Sequence, residues 1–533
     1  MRFIVILISL MTWASACVAQ EHDITGTRYE APADWVYQGQ TELANTGLQP
    51  VGKISLTGGR YWQSGTFDIA KSGRYVLDFK NTAGIGHFRH IVLDEKNLPL
   101  LDTRGGIQSG ESNPFLLRHG REIELASGHY RLLTELESPF FLAEPQPYID
   151  SLDSYRSNIK LSTALTFLCL GLFLGLMVYY TAIAYVRKRL SEVMYALFIL
   201  GNFLFNGTAL LVFSDLFGVR WIYLISASIL ISNCAYMVFV MSLLDIRRQN
   251  HPRLYKVGRA LLTVMTGMVV LALVKPNWSL ELARYGVGIF LPYGLAAGLV
   301  CARQGMAAAR FYLGAIGVFF VLGVFTISAT RGGGSMLFIE HWGLLSVTVE
   351  IMLLALVLSY QFAELQLEKE RAVAHMEQST RVAHTDALTG LPNRLALTTA
   401  LEALPPQGSL TFIDLDGLKF YNDRFGHARG DELLRDFAGH LKQQFGMQAT
   451  AHRLGGDEFA ITNAQGDSAW VVKVIELAVQ ATWANGFEFA GASFGTVHMH
   501  ESSDHEEIKR LADQRMYEHK RQRRETNPSG THR

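Results

Sequence analysis

Residues 453–460 read RLGGDEFA, two glycines and two carboxylates set between apolar neighbours. Gly455-Gly456 suits a tight β-hairpin turn, and Asp457-Glu458 could simply be solvated there. Other residues argue for more. Asp414 and Asp416 stand two apart in SLTFIDLD (409–416), so on a strand both side chains leave one face at its C-terminal end. A strand and a hairpin turn would then supply Asp414 from one side and Asp457 with Glu458 from the other. Mg2+ takes one or two carboxylates plus substrate phosphates, because it dehydrates reluctantly and demands octahedral geometry. A pair of such ions stabilises both the attacking and the leaving oxygen of an in-line displacement at phosphorus. The glycines fit this chemistry, since backbone without Cβ atoms can approach a triphosphate closely. Lys520 and Arg524 lie at i and i+4 of a terminal helix, on one face. They suit phosphate charge, or they form a basic tail that complements the helix C-terminus.

The elements that must position these groups alternate between helix and strand. A helix follows Asn393, and SLTFIDLD is a strand. The next helix, 428–445, puts Leu433, Leu434, Phe437, Leu441 and Phe445 on one face. The glycine hairpin, a helix near 468–484, the strand FAGASFGTV and a helix from about 504 complete an α/β sandwich over 386–524.

DALTGLPNR (386–394), DLDGLKFYNDRFGHARGDELL (414–434) and RLGGDEFA together resemble the GGDEF family, the diguanylate cyclases. The resemblance implies synthesis of cyclic di-GMP from two GTP with release of two pyrophosphates. It implies two Mg2+ per site, with Mn2+ as a substitute, held by Asp414, Asp457, Glu458 and the Leu415 carbonyl. Glu458, with Asp457, would be the catalytic carboxylate. Asn422 and Asp431 would hydrogen-bond guanine, Gly455-Gly456 would cradle phosphate, and Lys419, Lys520 and Arg524 would bind phosphates. Each domain would hold one GTP, so catalysis requires a homodimer. Two departures stand out: Leu418 replaces the usual aromatic before Lys419, and Arg523-Arg524-Glu525 replaces Gly-Arg-Asn. Many relatives also carry an inhibitory Arg-x-x-Asp element before the hairpin. The equivalent residues here are Gly446, Met447, Gln448 and Ala449, so no inhibitory site for the product is expected.

The rest of the chain belongs to a membrane protein. Of its 533 residues 49% are hydrophobic, and they concentrate in the middle. The formal net charge of +0 gives no global case for nucleic-acid binding. Residues 1–19, MRFIVILISLMTWASACVA, read as a secretory signal peptide, with a weak lipobox at Cys17. Cys169, Cys234 and Cys301 lie in apolar runs, so neither soluble part has a disulfide scaffold or a Cys-ligated zinc site. Residues 20–155 alternate with period two between regular turn signals, as a β-sandwich does. Trp62, Tyr75, Phe88 and Tyr130 are its expected core aromatics.

Seven apolar stretches fill 160–362, at 163–186, 193–213, 222–244, 260–274, 285–301, 311–330 and 342–362. Most match the bilayer's hydrocarbon thickness, and the fourth is short. Basic residues gather at 187–189, from Arg247 to Arg259, and at Arg303 and Arg310. The alternate loops hold only Arg220, Lys275, Arg284 and Arg331. The positive-inside rule then puts 20–155 in the periplasm and the C-terminus in the cytoplasm of a bacterial inner-membrane protein, with membrane lipid around the spans. Glu350, near mid-span, is a functional candidate or else pairs with Asn202 or Asn206. Over 363–385 the helix continues as a signalling helix. Leu358, Phe362, Leu365, Ala372, Met376 and Ala383 form a weak 4–3 seam interrupted by Lys369 and Ser379. Residues 525–533 are a polar tail.

This layout resembles the bacterial seven-transmembrane receptors with diverse intracellular signalling modules. It implies a periplasmic jelly-roll sensor for a carbohydrate-like ligand that the sequence does not name. Two functions compete. One is a membrane-bound sensory diguanylate cyclase; the other is a non-catalytic module that binds GTP and signals by protein contact. Intact Asp414, Asp457, Glu458, Asn422 and Asp431 favour the enzyme.

Overall fold

The computed structural model describes residues 22–329, 339–445 and 448–526. The expected signal peptide with Cys17, the residues Gly446 and Met447, and the tail beyond Thr526 lie outside the described residues. The chain forms two compact units, Met1–Ala363 and Glu364–Arg533.

The first unit opens with strands β1 (His22–Asp23), β2 (Gly26–Glu30), β3 (Gln49–Val51), β4 (Gly59–Ile69) and β5 (Gly73–Lys80). They are followed by β6 (His87–Leu93), β7 (Pro99–Gly105), β8 (Arg121–Leu125), β9 (Gly128–Ser138) and β10 (Gln146–Ser151). The strands make a four-stranded sheet, β1-β10-β5-β8, and a six-stranded sheet, β3-β2-β4-β9-β6-β7. Every pairing is antiparallel. Leu77, Ile123 and Ile149 of the first sheet share one core with Phe67, Val92 and Leu132 of the second, which makes this an all-β sandwich. The alternation visible in REIEL is kept, since β8 buries every second residue. Trp62, Phe88 and Tyr130 are buried, and Tyr75 packs half-buried against the same core.

Among the described residues eight helices follow: α1 (Leu152–Arg187), α2 (Leu190–Ala209), α3 (Val212–Phe217) and α4 (Leu224–Leu243), then α5 (Pro252–Val274), α6 (Ser279–Arg303), α7 (Ala307–Ala329) and α8 (Ile339–His384). Among the described residues, all but the short α3 are long and apolar enough to cross a bilayer. The protein is a multi-pass membrane protein. The short fourth stretch gains its length from Pro252, which suits the first helical turn because it has no N–H to satisfy.

Glu350 is buried on α8, but its partner is not the one the sequence suggests. The Tyr236 hydroxyl donates to Glu350 Oε1 at 2.9 Å. Asn202 and Asn206 instead donate to carbonyls of their own helix, those of Phe198 and Asn202, each at 2.9 Å, and Asn202 also donates to Ser232 Oγ on α4 at 3.1 Å. The last-turn carbonyl of its own helix lies within reach of each amide, so neither extends to Glu350. Other hydroxyls lace α8 to the bundle: Tyr180 donates to the Ala355 carbonyl at 2.9 Å, and Tyr195 to that of Ile351. Leu358, assigned from its spacing to the signalling seam, is buried in the bundle core.

The second unit is an α/β sandwich. Its sheet has the order β12-β13-β11-β14 and is fully antiparallel, with β11 (Ser409–Asp416), β12 (Ala449–Gly455), β13 (Glu458–Asn463) and β14 (Gly491–His498). Its helices are α9 (Arg394–Glu402), α10 (Leu418–Phe425), α11 (His427–Phe445), α12 (Ser468–Ala484) and α13 (His505–Thr526). On one face, Ile413 and Leu415 pack with Leu433 and Phe437 of α11 and Ile475 of α12. On the other, Leu410 packs with Leu397 of α9 and with Ile508 and Ala512 of α13. The separate helix α10 was not anticipated from the periodicity.

Candidate functional site

The carboxylates converge because of strand register. Asp414 lies opposite Glu458 across the β11–β13 ladder, and the Leu415 N–H donates to the Asp457 carbonyl at 2.9 Å. Three carboxylates from distant parts of the sequence thus border one strand end. Asp457 is half-buried and Glu458 exposed, so both can meet a solvated ligand. Gly455 and Gly456 have φ of 142° and 56°, backbone that residues with a Cβ rarely adopt. The turn needs both glycines whatever else it does.

Even spacing along β11 sends Asp414 and Asp416 to the face covered by α13. Lys520 Nζ sits 2.6 Å from Asp414 Oδ1. Asp416 accepts from Arg523 Nη1 and from Ser493 Oγ, each at 3.1 Å. Arg523, rather than the expected Arg524, therefore reaches the strand end, because it is three residues beyond Lys520 on the helix. Arg524 is exposed, as is Lys419.

Asn422 on α10 and Asp431 on α11 are both half-buried, and the turn at Gly426 folds α11 back so that Gly430 lies against Asn422. A Cβ on Gly430 would come within 2.0 Å of Asn422 Oδ1. Gly430 is thus the residue that admits the Asn422 amide beside Asp431. Leu418 packs against this group, with its Cδ1 3.1 Å from the same hypothetical Cβ, so the missing aromatic is replaced by an aliphatic filler.

Sequence reasoning missed the brace behind the hairpin. Arg453 donates to the Gly456 carbonyl from Nη2 at 2.8 Å and to Asp386 Oδ1 from Nη1 at 3.0 Å. Asp386 also accepts from Thr389 N and Oγ1, at 2.9 and 2.6 Å. Against the opposing effect of burial, these donors hold its carboxyl below the usual range. Asn393 caps α9 by accepting from the N–H of Leu395 at 2.9 Å. DALTGLPNR thus acts as a clasp between the end of α8, the start of α9 and the glycine turn. An arginine placed on the last buried turn of a strand, directly before Leu-Gly-Gly, was the available signal. On β12, His452 is buried and its Nε2 lies 3.2 Å from Thr462 Oγ1. Burial lowers its pKa to about 4.

The donor set fits a hard divalent cation that also binds substrate. Among the described residues no group of three His, Cys, Asp or Glu side chains is placed to hold a metal ion by itself. An open set with few carboxylates is the type Mg2+ uses with phosphate oxygens.

Two family descriptions match the chain. "Diguanylate cyclase, GGDEF domain" covers residues 383–526, and "7TM diverse intracellular signalling" covers 162–361. Diguanylate cyclase DgcN of Escherichia coli K12 is 33% identical over 168 residues, which is 29% of this chain and 41% of that protein. Diguanylate cyclase DgcP of the same organism is 32% identical over 178 residues, 30% of this chain and 52% of that protein. The chain therefore spans less than two thirds of the length of these relatives. The crystal structure of the coiled coil and GGDEF domain of DgcB from Caulobacter crescentus, in complex with c-di-GMP, is similar at 25% identity. It covers 31% of this chain and 94% of that one, with a TM-score of 0.27.

Proposed function

Because the chain carries a GGDEF domain behind a seven-transmembrane signalling region, we propose that it is a membrane-bound sensory diguanylate cyclase. The reaction joins two GTP. The 3′-hydroxyl of each attacks the α-phosphorus of the other, each bond to pyrophosphate breaks, and two pyrophosphates leave with cyclic di-GMP. The observation that carries this reading is the register that sets Asp414 opposite Glu458 beside the glycine turn.

In this reading Asn422 and Asp431 select guanine by hydrogen bonds to its edge. The Gly455-Gly456 turn admits the phosphates, and Lys419, Lys520 and Arg524 offset their charge. Asp414, Asp457, Glu458 and the Leu415 carbonyl would hold two Mg2+, with Mn2+ as a substitute. Such ions, when bound, neutralise the triphosphate and lower the pKa of the attacking hydroxyl. Glu458 orients that hydroxyl and accepts its proton. Two domains must face one another, so the working form is a homodimer joined through the signalling helix. The β-sandwich is the periplasmic sensor, and the GGDEF domain lies on the cytoplasmic side of the inner membrane.

The test is the purified full chain in lipid nanodiscs, given Mg2+ and GTP, with products separated chromatographically. Cyclic di-GMP and pyrophosphate in a one-to-two ratio are expected. Saturable GTP binding without product under dimerising conditions would replace this reading with that of a non-catalytic GTP-binding module.

A further inference from the structure

A polar cavity of about 410 Å³ lies where the β-sandwich meets the helical bundle. One wall is the β7–β8 connection, with Ser109, Glu111 and Asn113, and the other is the α3 region, with Asp215 and Arg220. Its volume falls within the range of small-molecule sites. Both walls belong to the first compact unit.

The charges in the cavity are of both signs and are held apart. Asp215 is fixed: Oδ1 accepts from Asn113 Nδ2 and Oδ2 from the Leu117 N–H, each at 2.8 Å. Ser214 Oγ adds a longer donation to Oδ1 at 3.4 Å, and of a carboxylate's about four acceptor positions one is left for a ligand. Arg220 reaches over the opposite wall, where a Cβ on Gly110 would lie 3.8 Å from its Nη1. Glu111 and Arg220 are exposed, and neither forms an ion pair within 4.0 Å among the described residues. Arg121 acts on both carboxylates by its charge, yet among the described residues neither is paired with Arg220, so acid and guanidinium stand over one polar space uncombined. A small zwitterion would satisfy them together, its ammonium between Glu111 and Asp215 and its carboxylate on Arg220, through charge-assisted hydrogen bonds.

We infer that this cavity binds a free α-amino acid and that the site informs helix α8. The connection runs through adjacent residues. Leu117, held by Asp215, has φ of 61°, a conformation uncommon for a non-glycine residue. The next residue, Arg118, is buried and donates to Asp78 Oδ2 at 2.7 Å and to Glu340 Oε1 at 3.4 Å. Glu340 lies in the first turn of α8 and also accepts from the Ala83 N–H at 2.8 Å. Occupation of the cavity thus bears on Asp215, whose partner segment carries the arginine that holds the head of α8.

The test uses the full chain in nanodiscs and reads binding, so it is independent of cyclase activity. The common L-amino acids are added singly in a thermal-shift and calorimetric titration. For each, the deaminated acid, the decarboxylated amine and glucose serve as controls. At least one amino acid should bind saturably, and its two truncated analogues should bind at least about tenfold more weakly, as expected for losing one charge-assisted bond. Arg220→Gln and Glu111→Gln, both at exposed positions, should each weaken binding by a similar factor. Glu340→Gln should leave affinity measurable but abolish the ligand's protection of α8 amides from hydrogen exchange. Absence of binding by every amino acid, binding of glucose alone, or binding unchanged by Arg220→Gln would each overturn the assignment. Protection of α8 that persists in Glu340→Gln would overturn the route to the helix.

Discussion

Lys520 places its ammonium 2.6 Å from Oδ1 of Asp414, at the strand end where Asp414 faces Glu458. The cation moderates repulsion among the carboxylates there and is available to phosphate. Lys520→Met should therefore lower kcat/KM for GTP by about 10- to 100-fold, the value of one charge-assisted hydrogen bond. Steady-state rates over a range of GTP concentrations check this, and Lys520→Arg should recover part of the loss. An unchanged kcat/KM would make Lys520 a helix-packing residue only.

Glu458 is exposed at the beginning of β13, so a neutral isostere should not disturb the fold. Glu458→Gln is expected to reduce turnover by at least about 100-fold, as loss of a general base does. Circular dichroism and the unfolding midpoint should match the parent. Near-normal synthesis by the folded variant would remove Glu458 from the chemistry.

Much of this site was legible because strands convert spacing into direction. Asp414 and Asp416 share a face for the reason their spacing gave, and the glycines of the hairpin have the positive φ their type suggested. The groups that were missed depend on which long side chain reaches across between elements. Spacing on a helix put Lys520 with Arg524, yet three residues rather than four bring Arg523 to Asp416. The Arg453–Asp386 pair joins residues 67 positions apart, and no local period encodes it. Likewise, the sequence offered Asn202 or Asn206 as partners of Glu350, and only packing of α4 against α8 selects Tyr236.

His452 supplies a pH dependence whose sign is fixed by burial. Its imidazole is buried and held neutral, with a pKa of about 4 against the usual 6.5. The unfolded chain binds the proton more tightly. Stability from this group is therefore complete above pH 6.5 and declines as pH falls toward 4, with no further change below. Between pH 7 and pH 5 the loss should be about 2 kcal/mol, at 1.36 kcal/mol per pKa unit. Urea unfolding of residues 386–526 at the two pH values measures it. His452→Gln, which can still reach Thr462, should flatten this part of the profile. An equal decline in both proteins would trace it to other groups.

Glu350 and Tyr236 bond at 2.9 Å in the bundle core. Glu350 lies on the helix that continues toward the GGDEF domain. Tyr236→Phe leaves the buried carboxyl without this donor, at a cost of about 1–3 kcal/mol, and Glu350→Gln replaces the carboxyl by a neutral amide that can still accept from Tyr236. Glu350→Gln and Tyr236→Phe should each alter cyclase output of the full chain in nanodiscs, and the double variant should show less than the sum of the two effects. Residues 386–526 expressed alone give the reference rate, which does not contain this pair. Output identical to the parent in both single variants would leave the pair a purely structural contact.

The last prediction concerns the stretch of α8 beyond Ala363. Leu365, Met376 and Val382 are 40%, 73% and 71% exposed on it, and Ala372 and Ala383 are exposed as well. Apolar residues displayed along a helix need cover from a second helix, and a 4–3 spacing directs that cover to one seam. Small and charged residues in the seam keep it weak, so association depends on effective concentration. A fragment beginning at residue 386 should lose specific activity steeply on dilution. One beginning at residue 364 should resist dilution better, and a strong two-stranded coiled coil fused before residue 386 should restore activity. Rates and sedimentation are measured over the same dilution series. Specific activity that stays constant into the range where the 386–526 fragment is monomeric would show that one domain completes the reaction alone, and the homodimer would have to be abandoned.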